Sequence, residues 1–182
     1  MTAAEIVLEI DTQIERLHRC RSVFPRLGRH LAGQKTFEAP AYYRQLGFDV
    51  VVALQQPMTE EFIDTLNNLA HWLNENFILR LYAVLESNSM YRSKLDQNLP
   101  GYDEMDIVRR LRNMIGHGSE YDPADSGKKK LYDRVVAHFN VQSESYLQDA
   151  EKYPIAVGQV LVPMAHGCKV YVQAKLAPQA TA

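Results

Sequence analysis

An arginine, an asparagine and a histidine fall within six positions at Arg112-Asn113-Met114-Ile115-Gly116-His117, and Gly118 follows. Arginine is permanently charged and grips phosphate oxygens through a planar fork. Histidine exchanges a proton near neutral pH. Asparagine orients a hydroxyl or a phosphate without titrating. RNA carries its own nucleophile in the 2′-OH, so a base, a phosphate clamp and correct placement suffice to cut it. That chemistry needs no metal, and no carboxylate–histidine spacing in the chain suggests a metal site or a cofactor.

The residues around this set are cationic. Arg109 and Arg110 precede it, and Lys128, Lys129 and Lys130 follow after a ten-residue loop; all five are the expected RNA contacts, although a GKKK run is more often a solvated helix start than a phosphate funnel. At 100° per residue, Arg110, Asn113 and His117 share one helical stripe, whereas Arg112 lies about 140° from His117. Val108, Leu111 and Ile115 then turn inward. The pattern is short. With 12 arginines and 6 histidines, a loose Arg-x(4–6)-His pair is expected about once by chance, and an Asn directly after the Arg lowers this to about one in twenty. A plain helix end also suits these residues, because the helix dipole favours a histidine near a C-terminus.

The elements that position the set are mostly helical. Ile6, Ile10, Ile14 and Leu17 recur at helical spacing over 3–20. Residues 21–57, broken by Pro25, Gly28, Gly33, Pro40, Gly47 and Pro57, read as a long connection with one short helix, in which only short pieces such as AYYRQL and DVVVALQ are regular. Thr59 caps a long apolar stripe, Phe62, Leu66, Leu69, Leu73, Phe77, Leu81 and Leu85, that reaches about Lys94 as one helix or two collinear ones, with Asn74-Glu75-Asn76 as the break. After the Leu99-Pro100-Gly101 turn, a helix over 102–116 ends at the Gly116-His117-Gly118 stop. SEYDPADSG reads as a loop, and a further helix from about Lys128 carries Leu131, Val135, Val136, Phe139, Tyr146 and Leu147. The Val- and Ile-rich end, with its PMAHG turn, reads as a β-hairpin of about 155–162 and 168–176. The expected fold is mainly α: an up-and-down bundle of four to five helices in one domain, helical over about 1–150, with a hairpin extension over about 153–177.

Bulk composition narrows the function classes. A net charge of −2 and 46% hydrophobic residues describe an ordinary globular chain with no global field for polyanions. Cys20 and Cys168 lack metal-ligand or disulfide-scaffold spacing, and no signal peptide or membrane span is legible, so a cytoplasmic protein is expected.

The stretch LPGYDEMDIVRRLRNMIGHGSEYDP resembles the HEPN superfamily, whose signature is Arg-x(4–6)-His, often with Asn or another polar residue after the Arg, at the end of a bundle helix. Arg112, Asn113 and His117 match it; Arg110 satisfies the spacing but lacks the following polar residue. The resemblance spans roughly 57–150. It implies a metal-independent endoribonuclease acting on RNA, of the kind found in toxin–antitoxin and antiviral defence settings. It also implies a homodimer whose two motifs line one composite cleft, and an antitoxin protein as partner. By position, His117 would handle the 2′-OH or leaving-oxygen proton, Arg112 the phosphate, and Asn113 orientation, giving a 2′,3′-cyclic phosphate. The alternative is a non-catalytic HEPN-like module that binds nucleotide or protein. The subgroup regulated by adenylylation has a tyrosine two residues after the histidine; here that position is Ser119, and the nearest tyrosine is Tyr121.

Other residues weigh less. Trp72 and His71 lie within the long helix, and Trp72 reads as core packing in preference to a base-stacking platform. Arg80 and Glu86 read as a solvated pair near its end. His18, His30 and His138 show no partner in sequence. His166 beside Cys168 spells a Cys–His pair without a third orienting group.

Overall fold

A computed structural model describes residues 1–118, 124–141 and 155–177. The chain is mainly helical with one small antiparallel sheet: α1 (Ala3–Val23), β1 (Thr36–Glu38), α2 (Ala41–Gln45), β2 (Val51–Ala53), α3 (Glu60–Ser87), α4 (Tyr102–Gly116), α5 (Ser126–His138) and α6 (Val162–Lys175). Two compact units divide it, residues 14–76 and residues 1–13 with 77 onward.

In the 14–76 unit, β1 pairs with β2 in the register Thr36↔Ala53, Phe37↔Val52, Glu38↔Val51. Phe37 turns inward and packs with Leu27, Met58 and Ile63. Asn67 of α3 holds the connection through both amide groups: its Oδ1 accepts from the Leu27 N–H (2.7 Å) and its Nδ2 donates to the Leu27 carbonyl (3.0 Å). The segment expected as a long connection thus contains the molecule's described strands, each three residues long. Such short strands leave little periodicity to read.

The other unit carries the Arg–Asn–His set. Thr2 and Glu5 form a reciprocal cap at the start of α1, whose Ile6 and Ile10 are fully buried. Within the 14–76 unit, Thr59 caps the start of α3 through Oγ1 to the Phe62 N–H (3.1 Å), as its position suggests. The helix closes at Ser87 instead of reaching Lys94. Ser89 adopts φ 64°, and the Met90 N–H reaches back to the Leu85 carbonyl, which is a Schellman closure. Asn140, φ 47°, ends α5 in the same way with Val141 N–H on Val136 O. Tyr146 and Leu147, expected on that helix, lie outside the described residues, as does most of the expected loop at Ser119 to Gly127.

The C-terminal hairpin is the main correction. Residues 157–161 form one wide π turn, the Leu161 N–H bonding to the Ala156 carbonyl at 3.0 Å, and α6 follows directly. Val157, Val160, Leu161, Met164, Ala165, Cys168, Tyr171 and Val172 are all buried. Their spacing is three and four, a helical stripe, and burial of that stripe overrides the β propensity of the valines. The expected PMAHG turn is helix interior. Gly167 is there because α4 passes close by: a Cβ on it would meet the Glu104 side chain at 2.3 Å. From the other side, a Cβ on Gly101, φ 82°, would meet the Gly167 carbonyl at 2.1 Å. Tyr171, fully buried, accepts the Asp96 N–H on its hydroxyl, and Lys169 pairs with Asp11 at 2.6 Å.

Candidate functional site

Helix α4 is built in two halves. Its first half is anchored: Met105, Asp106, Ile107, Val108 and Leu111 are buried, and the helix packs on α5 and α6. Its last turn emerges into solvent, with Ile115 half-buried and Arg112, Asn113, Gly116 and His117 exposed. The helix stops as the glycines predict. His117 takes φ −112°, ψ 12°, and Gly118 the left-handed φ 93°. The three motif residues therefore sit together on an open helix end.

The arginines of this helix divide sharply by electrostatic partner. Asp106, only 2% exposed, accepts hydrogen bonds from Arg109 Nη2, from Arg110 Nε (2.8 Å) and from Arg134 Nη1 on α5. Arg134 also reaches Asp103 at 2.7 Å. Burial pushes the Asp106 carboxyl up, but the guanidinium groups of Arg134, Arg110 and Arg109 outweigh it and hold its pKa at about 2. Arg109 and Arg110, expected as RNA contacts, are thus tied to a buried carboxylate. Sequence reasoning missed Asp106. Its signal was the spacing of three and four residues to Arg109 and Arg110, which places all three on one face.

Arg112 is held differently. It has no carboxylate partner among the described residues; its Nη1 donates to Asn113 Oδ1 at 3.3 Å, and its guanidinium carbon lies 5.1 Å from the centroid of the Tyr82 ring. Tyr82 is stacked on Tyr91, with centroids 4.8 Å apart and planes at 19°. The Tyr82 hydroxyl donates to Glu86 Oε1 (3.0 Å), and the Tyr91 hydroxyl donates to the Met105 carbonyl of α4 (2.9 Å). His117 makes no side-chain hydrogen bond among the described residues. Arg80 and Glu86, read as a solvated pair, are both exposed, and Glu86 takes the Tyr82 hydroxyl.

The lysines are less concentrated than their run suggests. Asp125 caps α5 through Oδ1 to the N–H groups of Gly127 and Lys128, and Lys129 pairs with Asp133 at 2.6 Å. Lys130 is exposed with no ion pair among the described residues.

Residues expected elsewhere also find places. Cys168 is fully buried, and burial, with Glu104 nearby, pushes its thiol up, so it is no nucleophile. His166 lies exposed on α6. His138 pairs with Glu104 at 2.9 Å, and His18 shares a hydrogen bond with the Tyr42 hydroxyl at 3.1 Å. Trp72 is 56% exposed on α3 and not in the core. Ser119 and Tyr121 lie outside the described residues. Among the described residues, no group of three or more His, Cys, Asp or Glu is placed to hold a metal ion, and no helix is long and apolar enough to cross a membrane. Scans of protein-family models, curated proteins and solved structures return no match to this chain.

Proposed function

We propose that this protein is a metal-independent endoribonuclease of the HEPN type, acting as a homodimer whose paired α4 ends line one cleft of a helical bundle. The observation that carries the reading is that Arg112, unlike its exposed neighbours Arg109 and Arg110, has no carboxylate partner among the described residues. Three arginines around it are bound to carboxylates, while the one that matches the motif meets, among the described residues, Asn113 and the Tyr82 ring in place of a carboxylate, on the helix end that also exposes His117.

In this reading Arg112 binds the scissile phosphate and stabilises the charge that builds on its non-bridging oxygens as the 2′-oxygen attacks. His117 takes the 2′-OH proton or returns one to the leaving 5′-oxygen; the second copy's His117 serves the other step. Asn113 fixes the guanidinium through its Oδ1. The P–O5′ bond breaks as the P–O2′ bond forms, leaving a 2′,3′-cyclic phosphate and a 5′-hydroxyl. Arg112 and His117 lie about 140° apart on an ideal helix, an angle that suits a cleft shared between two copies. A protein partner of antitoxin type and a cytoplasmic location accompany this reading.

Cleavage of an end-labelled single-stranded RNA in excess EDTA tests it, with wild type beside His117→Ala and Arg112→Ala. The expected result is a cyclic-phosphate product that falls at least about 100-fold in either variant. Arg110→Ala, which touches the Asp106 network instead, retains cleavage. Absence of cleavage by folded wild type across varied RNAs, with nucleotide binding that needs Arg112, would replace the nuclease by the binding-module alternative.

A further inference from the structure

Arg112 faces a conflict common to exposed phosphate-binding arginines. Left alone, the side chain samples many rotamers and loses entropy on binding; tied to a carboxylate, its charge is cancelled and its donors are occupied. The surface of α3 offers a third arrangement. The Tyr82 ring approaches the guanidinium to 5.1 Å, and a π face attracts a cation without neutralising its formal charge. Of the five N–H donors a guanidinium carries, the described residues engage one, on Asn113.

The ring itself is fixed from two directions. Tyr91 stacks on it and is pinned by its hydroxyl to the Met105 carbonyl within α4, the helix that bears Arg112. Glu86 accepts the Tyr82 hydroxyl proton in a charge-assisted hydrogen bond, which fixes the tilt of the ring and makes its face more electron-rich. Burial and the Glu86 contact push the Tyr82 phenol above its ordinary value, so it remains a donor at neutral pH.

We propose that Tyr82, fixed by Tyr91 and Glu86, is a positioning residue that holds Arg112 over an aromatic face without neutralising its charge, and leaves the donors that the described residues do not engage for a phosphate. This rests on the functional reading above for its consequence in catalysis, although the clamp itself is a property of the free protein.

Two measurements separate the clamp from the nuclease. The first is NMR of the Arg112 side chain in wild type, Tyr82→Phe and Tyr82→Leu. Wild type and Tyr82→Phe are expected to show Arg112 Hδ resonances displaced upfield by the ring current, and Tyr82→Leu to lose the displacement. Undisplaced Arg112 resonances in wild type overturn the proposal without any variant. The second is single-turnover RNA cleavage. Tyr82→Phe is expected to stay within about threefold of wild type, whereas Tyr82→Leu falls about tenfold in the cleavage step with little change in RNA affinity. In an Arg112→Ala background, Tyr82→Leu is expected to cause no further loss, because the residue acts through Arg112. A full additional loss there would assign Tyr82 a merely structural role and overturn the inference. A displaced Arg112 signal with no RNA cleavage by wild type would instead sink the nuclease reading and leave the clamp standing.

Discussion

Asp106 sets the charge of the α4 surface from beneath it. A buried carboxylate that accepts three guanidinium hydrogen bonds is favoured in its ionised form, and that preference is a contribution to stability. Its folded pKa of about 2 lies below the ordinary carboxylate value, so the contribution is fully present above about pH 4 and is lost as pH falls toward 2. The size is about 2 kcal/mol. Urea unfolding of wild type and Asp106→Asn is expected to show a stability gap of this order at pH 6 that narrows steadily between pH 4 and pH 2. A gap of the same size at pH 2 would mean that the carboxylate charge is not what the three arginines stabilise. The same variant would release Arg109 and Arg110 and raise non-specific RNA binding.

Helices α4 and α6 meet at two glycines, and the contact decides where α4 points. Gly101 opens α4 in a left-handed conformation with the Gly167 carbonyl beneath it, so both backbone strain and contact forbid a side chain. Gly101→Ala is expected to cost about 3 kcal/mol, read as a lower urea midpoint at unchanged slope. A cost under about 0.5 kcal/mol would show that the helices shift apart freely. Gly167→Ala meets the Glu104 side chain down to its Cβ and would also disturb the Glu104–His138 pair. The motif lies at the other end of the same helix, so the anchor at Gly101 and the open last turn are two ends of one lever.

At the scale of the molecule, a net charge of −2 and the pairing of Arg109, Arg110, Arg134 and Lys129 with acids leave no global positive field to draw in a polyanion. RNA association should then depend only mildly on salt. Two phosphate contacts per protomer give a slope of log K against log salt of about −1.4, whereas Arg112 together with all five expected cations would give about −4. Fluorescence anisotropy with a short single-stranded RNA between 50 and 300 mM salt distinguishes the two. A slope near −4 would mean that the acid pairs open on binding and that the lysine run is part of the interface.

The sequence by itself determined the helices whose apolar stripes are long and uninterrupted. Ile6 to Leu17 is buried as its spacing requires, Thr59 caps α3, and the Gly116-His117-Gly118 stop ends α4 where glycine can take a left-handed turn. These are local effects, settled within a few residues of chain. The tertiary structure decided the rest. The valine-rich end is a helix because its three-and-four stripe is buried and Gly167 admits α4, a neighbour sixty residues earlier in the chain. Partners for Arg112, His138 and Arg134 come from Tyr82, Glu104 and Asp103, each about thirty residues away, which no periodicity encodes. The motif gave the residue types; packing chose which arginine keeps its charge for a ligand, since a buried carboxylate captures the nearest guanidinium groups on its own face and leaves Arg112, on another, to the aromatic ring.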